Sequence, residues 1–489
     1  MLVDLLIDAS RNRGDIMAVS DALMTLTYRR LGQFAQVCRD FIARATNRPR
    51  VGLLLPASGA FSGCLFGTLW AHKTPVPLNF LLSAEELAAI VRAAGLDTVV
   101  TVKHFAELVG KLPATPLFLE DQPIKRHMVA KMLRRIPAPP RVAPDDTAVL
   151  LFTSGTSAEP KGVELTYRNL HSNCLDCIAT ANIQPDHTFL NCLPPFHVFG
   201  LTANVLVPVA LGASVHSIPR FSPTAVADVF RKHTISVFMA IPSMYAAVLR
   251  LKSAPPDLMK HTYLPVSGGE PLPDAIADGY RERFGVRLYQ GYGLTETAPV
   301  CTLELPDANR NGSIGRPIRN VDVRIVGDDG AELPAGADGE IWIKGPNVMR
   351  GYLDNADATR RVITPDGWFK TGDAGHVDAD GFVSITGRLK DMMIVGGENV
   401  FPREIEQVLE RHPAIATVAV IGLPDASRGE APVAFVTLKD GATATEIELR
   451  DFARASLARY KVPRQVHIHP DLPRGPTGKI LKRRLPELL

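Results

Sequence analysis

The sequence predicts an α/β protein with a large N-terminal domain, which consists of two doubly wound α/β subdomains and a small antiparallel β-barrel, followed by a small α+β C-terminal domain. Continuous apolar runs alternate with helical patterns between residues 50 and 290, which is typical of parallel sheets covered on both faces. From about Val321, apolar and polar residues alternate around Asp-Gly turns, which favours antiparallel strands in a barrel or a sandwich. From Asp391 the pattern changes again, to short α/β pieces.

The first part of the chain contains the elements expected of two parallel sheets. Apolar runs predict strands at 50–56, 98–101, 116–119, 148–153, 188–192, 214–218, 235–240, 264–267 and 286–290. Amphipathic patterns predict helices at 57–72, 223–233, 243–251 and 273–284. The segment PAPP at 137–140 separates the two subdomains. In the last part, Thr445 and Glu448 form the spacing of a capping box, which predicts a helix to about Leu457.

Length, net charge and cysteine content argue against a nucleic-acid-binding protein and against a disulfide-rich secreted protein. A length of 489 residues favours two or three domains, and a net charge of +3 argues against a nucleic-acid partner. Six cysteines in so long a chain do not make a disulfide framework, which favours a cytoplasmic location. We expect no signal peptide, because the first residues contain no basic leader, no long apolar core and no small-residue cleavage site. We expect no transmembrane segment, because no apolar run reaches ~18 residues. The basic segment 124–141 is typical of a solvated surface helix, and peripheral contact with anionic lipid or an acidic carrier protein is the alternative.

The segment LLFTSGTSAEPKGVELT, residues 150–166, is suited to holding phosphate. Its hydroxyls, glycine and cation predict a flexible polyphosphate clamp: Thr153, Ser154, Gly155, Thr156, Ser157 and Lys161. Pro160 precedes the lysine and a strand follows it, so the segment differs from a Walker A loop and does not rely on a helix N-terminus. Thr166 is the expected N-cap of the next helix.

Four further motifs contain groups suited to a nucleotide. In YQGYGLTET, residues 289–297, Tyr292 is placed to lie against a base, Thr295 to bond a phosphate and Glu296 to bind Mg²⁺. WFKTGD ends in Asp373, whose carboxylate can accept bonds from two ribose hydroxyls. TGRLKD contains Arg388, and PRGPTGKILK places a lysine near the C-terminus.

Together these motifs resemble the adenylate-forming superfamily, which includes acyl-CoA synthetases, aryl-CoA ligases, peptide-synthetase adenylation domains and firefly-type luciferases. The resemblance extends from about Thr27 to Leu485 and is strongest to fatty acyl-CoA synthetases. It implies an N-terminal domain at 1–387, with the β-barrel part at about 305–387, a hinge at 388–390 and a mobile C-terminal lid domain at 391–489. Ala158 and Gly475 depart from the usual pattern of the family without removing a functional group.

The resemblance also implies roles for individual residues. It assigns catalysis to Lys479, Thr153, Lys161, Glu296 and His197, Mg²⁺ binding to Glu296 and the hinge to Lys390. It implies that ATP and AMP are bound by Thr153, Ser154, Gly155, Thr156, Ser157, Lys161, Gly268, Gly269, Glu270, Gly291, Tyr292, Gly293, Thr295, Asp373, Arg388 and Lys479. The side facing the thiol contains Gly396, Gly397, Glu398 and Asn399.

The implied reaction has two steps: ATP and a carboxylic acid give an acyl-adenylate, and a thiol then takes the acyl group. The expected acyl pocket is apolar, which favours a medium- to long-chain fatty acid: His197, Phe199, Gly200, Val237, Phe238, Met239, Gly293 and Leu294. CoA is the expected acceptor. An acyl carrier protein as acceptor, an aryl acid as substrate and a non-catalytic nucleotide-binding relative remain as alternatives. The oligomeric state is left open. Cys174 and Cys177 indicate core packing rather than a zinc site.

Overall fold

The computed structural model describes residues 1–132, 138–153, 160–425, 427–474 and 480–489. The strands are β1 Met17–Ser20, β2 Thr25–Thr27, β3 Arg50–Leu54, β4 Thr74–Pro77, β5 Thr98–Thr101, β6 Thr115–Phe118, β7 Thr147–Thr153, β8 Lys161–Thr166, β9 Thr188–Asn191, β10 Ser214–Ser217, β11 Val237–Ala240, β12 Leu264–Gly268, β13 Tyr289–Gly293, β14 Val300–Leu303, β15 Arg316–Pro317, β16 Asp322–Val326, β17 Gly339–Lys344, β18 Gly351–Tyr352, β19 Phe369–Val377, β20 Val383–Arg388, β21 Met393–Val395, β22 Glu398–Val400, β23 Ile415–Asp425, β24 Gly429–Leu438 and β25 Gln465–Ile468.

The α-helices are α1 Leu2–Asn12, α2 Tyr28–Ala45, α3 Gly59–Trp70, α4 Ala84–Ala93, α5 Ala106–Val109, α6 Ile124–Met132, α7 Tyr167–Thr180, α8 Val198–Leu201, α9 Val207–Leu211, α10 Pro223–Lys232, α11 Pro242–Arg250, α12 Asp274–Phe284, α13 Ala356–Val362, α14 Pro402–Glu410 and α15 Glu446–Arg454. A π-helical turn, Thr202–Leu206, joins α8 to α9. Short 3₁₀ helices span Lys103–Phe105, Leu119–Asp121, Thr295–Thr297, Leu389–Asp391 and Lys482–Leu488.

Two sheets contain the predicted parallel strands. A four-stranded sheet has the order β4-β3-β5-β6 and is parallel throughout. A nine-stranded sheet has the order β15-β14-β13-β12-β11-β9-β10-β1-β2 and is parallel from β13 to β1. Its two edges are antiparallel, at β13-β14-β15 and at β1-β2. The α/β expectation is therefore confirmed, with mixed sheet edges added.

One predicted strand lies in a different kind of sheet. The apolar run at 148–153 was grouped with the parallel strands, but β7 pairs antiparallel with β8, and β18 completes a three-stranded sheet. The physical reason is the short connection of residues 154–160, since a parallel crossover needs a dozen or more residues.

Antiparallel pairing is confirmed in the third part of the chain. Strands β16, β17, β19 and β20 form a four-stranded antiparallel sheet in the order β16-β17-β19-β20. Its strand order is an open path, and its strands lie in the region assigned to the β-barrel.

The last hundred residues have a core of their own. Strands β22-β21-β24-β23 form a sheet, and β25 joins β24. Helices α14 and α15 pack Ile405, Leu409 and Leu449 against Val420 and Val436 of this sheet. The capping box at Thr445 is confirmed, because the Glu448 N–H donates to Thr445 Oγ1 and the Thr445 N–H donates to Glu448 Oε2. The Thr166 N-cap of α7 is confirmed in the same way by Asn169.

The structure also describes the basic segment, the candidate membrane spans and the cysteine pair considered in the sequence. Helix α6 packs Ile124 and Met128 on the core, and Lys131 forms an ion pair with Asp40 at 2.5 Å. In the described ranges, no helix is both long enough and apolar enough to cross a bilayer. Cys174 and Cys177 are buried in the large core, as their spacing on a helix predicts.

Candidate active site

A single cavity of about 1440 Å³ brings most of the predicted site residues together. It opens at the carboxyl ends of the parallel strands β11 and β12, the edge at which open α/β sheets bind ligands. The predicted residues that line it are Thr153, Lys161, His197, Phe199, Gly200, Met239, Gly268, Gly269, Glu270, Gly291, Tyr292, Gly293, Leu294, Thr295, Glu296, Arg388 and Lys390. Motifs separated by more than two hundred residues in sequence therefore meet in one space.

Asp373, Arg388 and Tyr292 form a connected polar group, in which Arg388 and Tyr292 line the cavity and Asp373 is buried behind them, outside its lining. Strands β19 and β20 place Asp373 opposite Arg388, and the Arg388 Nε lies 3.0 Å from Asp373 Oδ1. The Tyr292 hydroxyl donates to Asp373 Oδ2 at 2.6 Å. Burial raises the pKa of Asp373, while the positive charge of Arg388 opposes that shift. The ring of Tyr292 is thus held against the cavity wall by a hydrogen bond to the predicted ribose-binding carboxylate.

Lys161, Glu296 and Tyr352 form a second polar group. The Tyr352 hydroxyl donates to Glu296 Oε1 at 2.9 Å, and Lys161 Nζ lies 5.7 Å from the centre of the Tyr352 ring. Burial raises the pKa of Tyr352, so its hydroxyl stays protonated and remains a donor to the carboxylate. The Met349 N–H donates to the Glu296 carbonyl and fixes the backbone there.

Sequence reasoning did not find Tyr352. It reaches the site because β18 pairs with β8, which places it opposite Val163, two residues after Lys161. In the sequence, Tyr352 stands out only as a single aromatic residue in the polar segment MRGYLDN. Sheet pairing over nearly two hundred residues cannot be inferred from that segment.

Several predicted residues lie outside the described residues. These are Ser154, Gly155, Thr156 and Ser157 of the phosphate loop, Ala158 beside them, and Gly475 and Lys479 of the final motif. The described ends of the loop are close, since Thr153 pairs with Lys161 across the β7–β8 hairpin.

Two glycines of the site are closely approached by their neighbours. A Cβ on Gly293 would lie 1.7 Å from the carbonyl oxygen of Pro299, so no side chain fits there. A Cβ on Gly268 would lie 3.2 Å from the ring of Phe199, which borders both the nucleotide end and the apolar part of the cavity. The absence of a side chain at these two positions lets neighbouring atoms approach the carboxyl ends of β12 and β13 closely.

The apolar part of the cavity, which we name the acyl arm, extends away from the polar groups. The side chains that form it come from the end of α7, the π-helical turn, α9 and β12: Cys177, Ala181, Ile183, Thr202, Ala203, Val207, Leu264 and Val266. Met239, opposite Val266 in the pairing of β11 with β12, also lines the cavity. The Thr202 hydroxyl donates to the Ala298 carbonyl at 3.1 Å, so its polar group is satisfied within the protein.

The predicted acyl residues Val237 and Phe238 are a correction. Both are fully buried and lie outside the lining of the cavity. Successive side chains of a strand point to opposite faces. Phe238 therefore faces away from Met239 and packs on Phe230 and Tyr245. Val237 shares the face of Met239 but lies deeper in the sheet.

Residues of the first subdomain close one side of the cavity, and these were not predicted. Pro56, Leu81 and Phe105 line it. Phe80 joins them, stacking on Phe105 at 5.0 Å and meeting Phe196 edge-on at 5.0 Å. This aromatic contact bridges the two parallel sheets beside His197.

The predicted thiol-side loop lies away from the cavity in this conformation. Gly396 and Gly397 form the turn between β21 and β22, with φ values of 64° and 91°. Glu398 and Asn399 follow in β22 and are exposed. Lys390, the predicted hinge residue, does line the cavity, in the 3₁₀ helix Leu389–Asp391.

Comparison with known proteins agrees with this arrangement. The family described as AMP-binding enzyme matches residues 7–353, and the AMP-binding enzyme C-terminal domain matches residues 404–479. A feruloyl-CoA synthase from Amycolatopsis sp is 36% identical over 474 residues, covering 95% of this chain and 94% of the relative. A long-chain-fatty-acid–CoA ligase from Escherichia coli O6:H1 is 32% identical over 528 residues, covering 99% and 94%. The crystal structure of ATP-bound MatB from Rhodopseudomonas palustris superposes with a TM-score of 0.90 at 29% identity, covering 100% and 99%.

The two family models match the N-terminal and the C-terminal parts of the chain, and the similar relatives are themselves named CoA ligases or synthetases. The chain belongs to the AMP-binding enzyme family, and it is an ATP-dependent, AMP-forming acid–thiol ligase with CoA as co-substrate.

Proposed function

We propose that the protein activates an apolar monocarboxylic acid, a medium- to long-chain fatty acid, and transfers it to CoA. The observation that carries this proposal is the composition of the acyl arm. Its eight side chains are apolar apart from the thiol of Cys177 and the internally bonded hydroxyl of Thr202. A buried arm of this kind stabilises alkyl groups, and a polar group placed there would lose its water without gaining a partner.

The charges around the cavity support a single carboxylate on the acid. The charged residues that line it, among those described, are Lys161, Arg220, Glu270, Glu296, Lys370, Arg388 and Lys390. They belong to the nucleotide end, the hinge and loops after the strands, and Arg220 is an exposed residue just beyond the carboxyl end of β10. A dicarboxylate would need a cation within the arm to hold its second charge.

The first step joins the acid to AMP. A carboxylate oxygen of the acid attacks the α-phosphorus of ATP, and the bond to pyrophosphate breaks, which gives an acyl-adenylate. The acid is already ionised, so this step needs no base; it needs cations that offset the repulsion between two anions. Lys161, which lines the cavity, supplies one such cation. The Asp373 carboxylate, 3.0 Å from Arg388 Nε, accepts the bonds from the ribose.

Glu296 is the residue whose chemistry fits Mg²⁺ accompanying the phosphates. Its carboxylate is a hard oxygen ligand, lines the cavity and is oriented by the Tyr352 hydroxyl. The metal, when bound with ATP, supplies neutralisation of the phosphate charge. In the second step the sulfur of CoA attacks the acyl carbon, AMP leaves, and the thiol proton is released.

An aryl acid is the second candidate. The 36% identity to a feruloyl-CoA synthase over 95% of the chain favours it. The described arm, however, offers no free polar group to a ring hydroxyl, since Thr202 is bonded to Ala298. A fatty acid therefore fits the arm better than a hydroxylated aryl acid.

The proposal is tested by ATP–pyrophosphate exchange with a panel of acids: acetate, hexanoate, decanoate, palmitate, ferulate, malonate and glycine. Among the alkyl acids, we expect kcat/KM to rise from acetate through hexanoate to decanoate, by up to about fourfold per CH₂ while each group contributes ~0.8 kcal/mol on burial. Preference for acetate, malonate or glycine would contradict the proposal. Preference for ferulate would favour the aryl alternative.

A further inference from the structure

The acyl arm has a defined length along β12. Leu264, Val266 and Gly268 alternate along this strand, so they share one face, and all three line the cavity. Gly268 lies at the nucleotide end, against Phe199, and Leu264 lies at the opposite end of the strand. Four steps of ~3.3 Å give about 13 Å, which is the extended length of roughly ten alkyl carbons.

The far end of the arm is closed by the C-terminal end of α7 together with the turn that follows it, where Ala181 is the C-cap residue. Ala181 and Ile183 line the cavity there and are 1% and 4% exposed. Ala181 is fixed on both sides of its peptide unit, because its N–H donates to the Cys177 carbonyl and its carbonyl accepts from the Tyr263 hydroxyl at 3.1 Å. The Ile183 N–H donates to the Ile178 carbonyl at 3.2 Å.

Tyr263 connects this wall to β12, the strand that runs along the acyl arm. It precedes Leu264, the first residue of β12, so the hydroxyl bond to Ala181 ties the closed end to the start of that strand. A wall held by backbone bonds cannot retreat as a surface side chain can. A chain too long for the arm must therefore displace buried atoms, and dense interiors resist this.

We propose that the end of α7, through Ala181 and Ile183, sets the maximum acyl length that the enzyme activates, at roughly ten carbons by the rise of β12. This inference rests on the proposed function, since it requires an alkyl chain in the acyl arm. The methyl group of Ala181 and the side chain of Ile183 meet the ω end of the bound acid. Longer acids lose affinity because their last carbons have no space.

Two variants test the proposal in opposite directions. Ala181→Leu adds three carbons at the closed end, and Ile183→Ala removes three. In an exchange assay with even-numbered acids from hexanoate to palmitate, we expect the wild-type rate to peak near decanoate. Ala181→Leu should lower kcat/KM for decanoate about tenfold or more and leave hexanoate within about twofold. Ile183→Ala should move the peak to longer acids by two or more carbons.

Leu175→Ala is the matched control, because Leu175 lies on the same helix and is 43% exposed. Its length profile should equal that of the wild type. Binding of hexanoyl and decanoyl sulfamoyl-adenosine, measured by calorimetry, gives a second measure that does not depend on turnover. If Ala181→Leu fails to fold by circular dichroism, Ile183→Ala still decides the question.

The outcomes separate this inference from the proposed function. Parallel length profiles in the wild type, Ala181→Leu and Ile183→Ala would overturn the role of α7 while leaving fatty acid activation intact. A wild-type peak at palmitate would overturn it as well. Wild-type activity confined to ferulate or malonate would instead overturn the proposed function.

Discussion

At the scale of single residues, the proposed Mg²⁺-binding role of Glu296 can be tested by a single substitution. Glu296→Gln keeps the shape of the side chain and an oxygen that can accept from Tyr352, but it removes the charge. We expect a loss of roughly tenfold to a hundredfold in adenylation rate and a higher Mg²⁺ requirement, because a neutral amide oxygen is a weaker ligand for Mg²⁺. Pyrophosphate exchange measured against Mg²⁺ concentration checks this.

Tyr352→Phe is the control for that variant. It removes the hydroxyl donor to Glu296 and keeps the ring beside Lys161. It should lower the rate less than Glu296→Gln does, and it should change the Mg²⁺ requirement only slightly. A Mg²⁺ dependence of Glu296→Gln that matches the wild type would show that Glu296 only supports the structure.

The residue scale also shows how far sequence reasoning extends. The family resemblance implies that Asp373 and Arg388 both bind the nucleotide, and in the structure Arg388 Nε lies 3.0 Å from Asp373 Oδ1. Motifs of this kind carry their own local geometry, here two adjacent antiparallel strands. Phe238 was misplaced because its strand is buried on both faces, so hydrophobicity alone does not say which side faces the cavity.

At the scale of elements, the predicted hinge at 388–390 overlaps the 3₁₀ helix Leu389–Asp391. It links β20 to β21, and Lys390 within it lines the cavity. Lys390→Pro fixes φ at this position, and we expect it to slow thioester formation from supplied acyl-adenylate at least tenfold while adenylate formation continues. Lys479→Ala should have the opposite effect, because its charge is needed only while the adenylate forms.

Both half-reactions are measured on the same purified proteins, by pyrophosphate exchange and by thioester release from synthetic acyl-adenylate. Circular dichroism controls for folding. Equal loss of both half-reactions in both folded variants would show that the two domains do not alternate in the way the hinge predicts.

Strands were predicted well where an apolar run of strand length lay between helical patterns. The partners and directions of strand pairing were predicted poorly. The parallel strands of the large sheet followed from apolar runs between helices. The β7–β8 hairpin did not, because an apolar run has the same appearance in a parallel and in an antiparallel strand. The pairing of β18 with β8 is non-local, and nothing in either segment specifies its partner.

At the scale of the whole molecule, the cavity is assembled from segments between residues 56 and 390. The C-terminal part has its own core. Arg411 lies 3.6 Å from Asp274, and Phe401 packs so closely on β20 that a Cβ on Gly387 would lie 2.6 Å from its ring. The sequence predicted the division into a large and a small domain, but it could not give the contacts between them, since these depend on the folded surfaces of both.

We propose that residues of this cavity join an apolar acid to CoA while ATP is cleaved to AMP and pyrophosphate. The most direct test is to incubate the protein with decanoate, ATP, Mg²⁺ and CoA and to quantify every product by mass spectrometry. We predict decanoyl-CoA, AMP and pyrophosphate in equal amounts, with malonate giving at least a hundredfold less thioester. Formation of ADP, or a thioester from malonate but none from decanoate, would contradict the account.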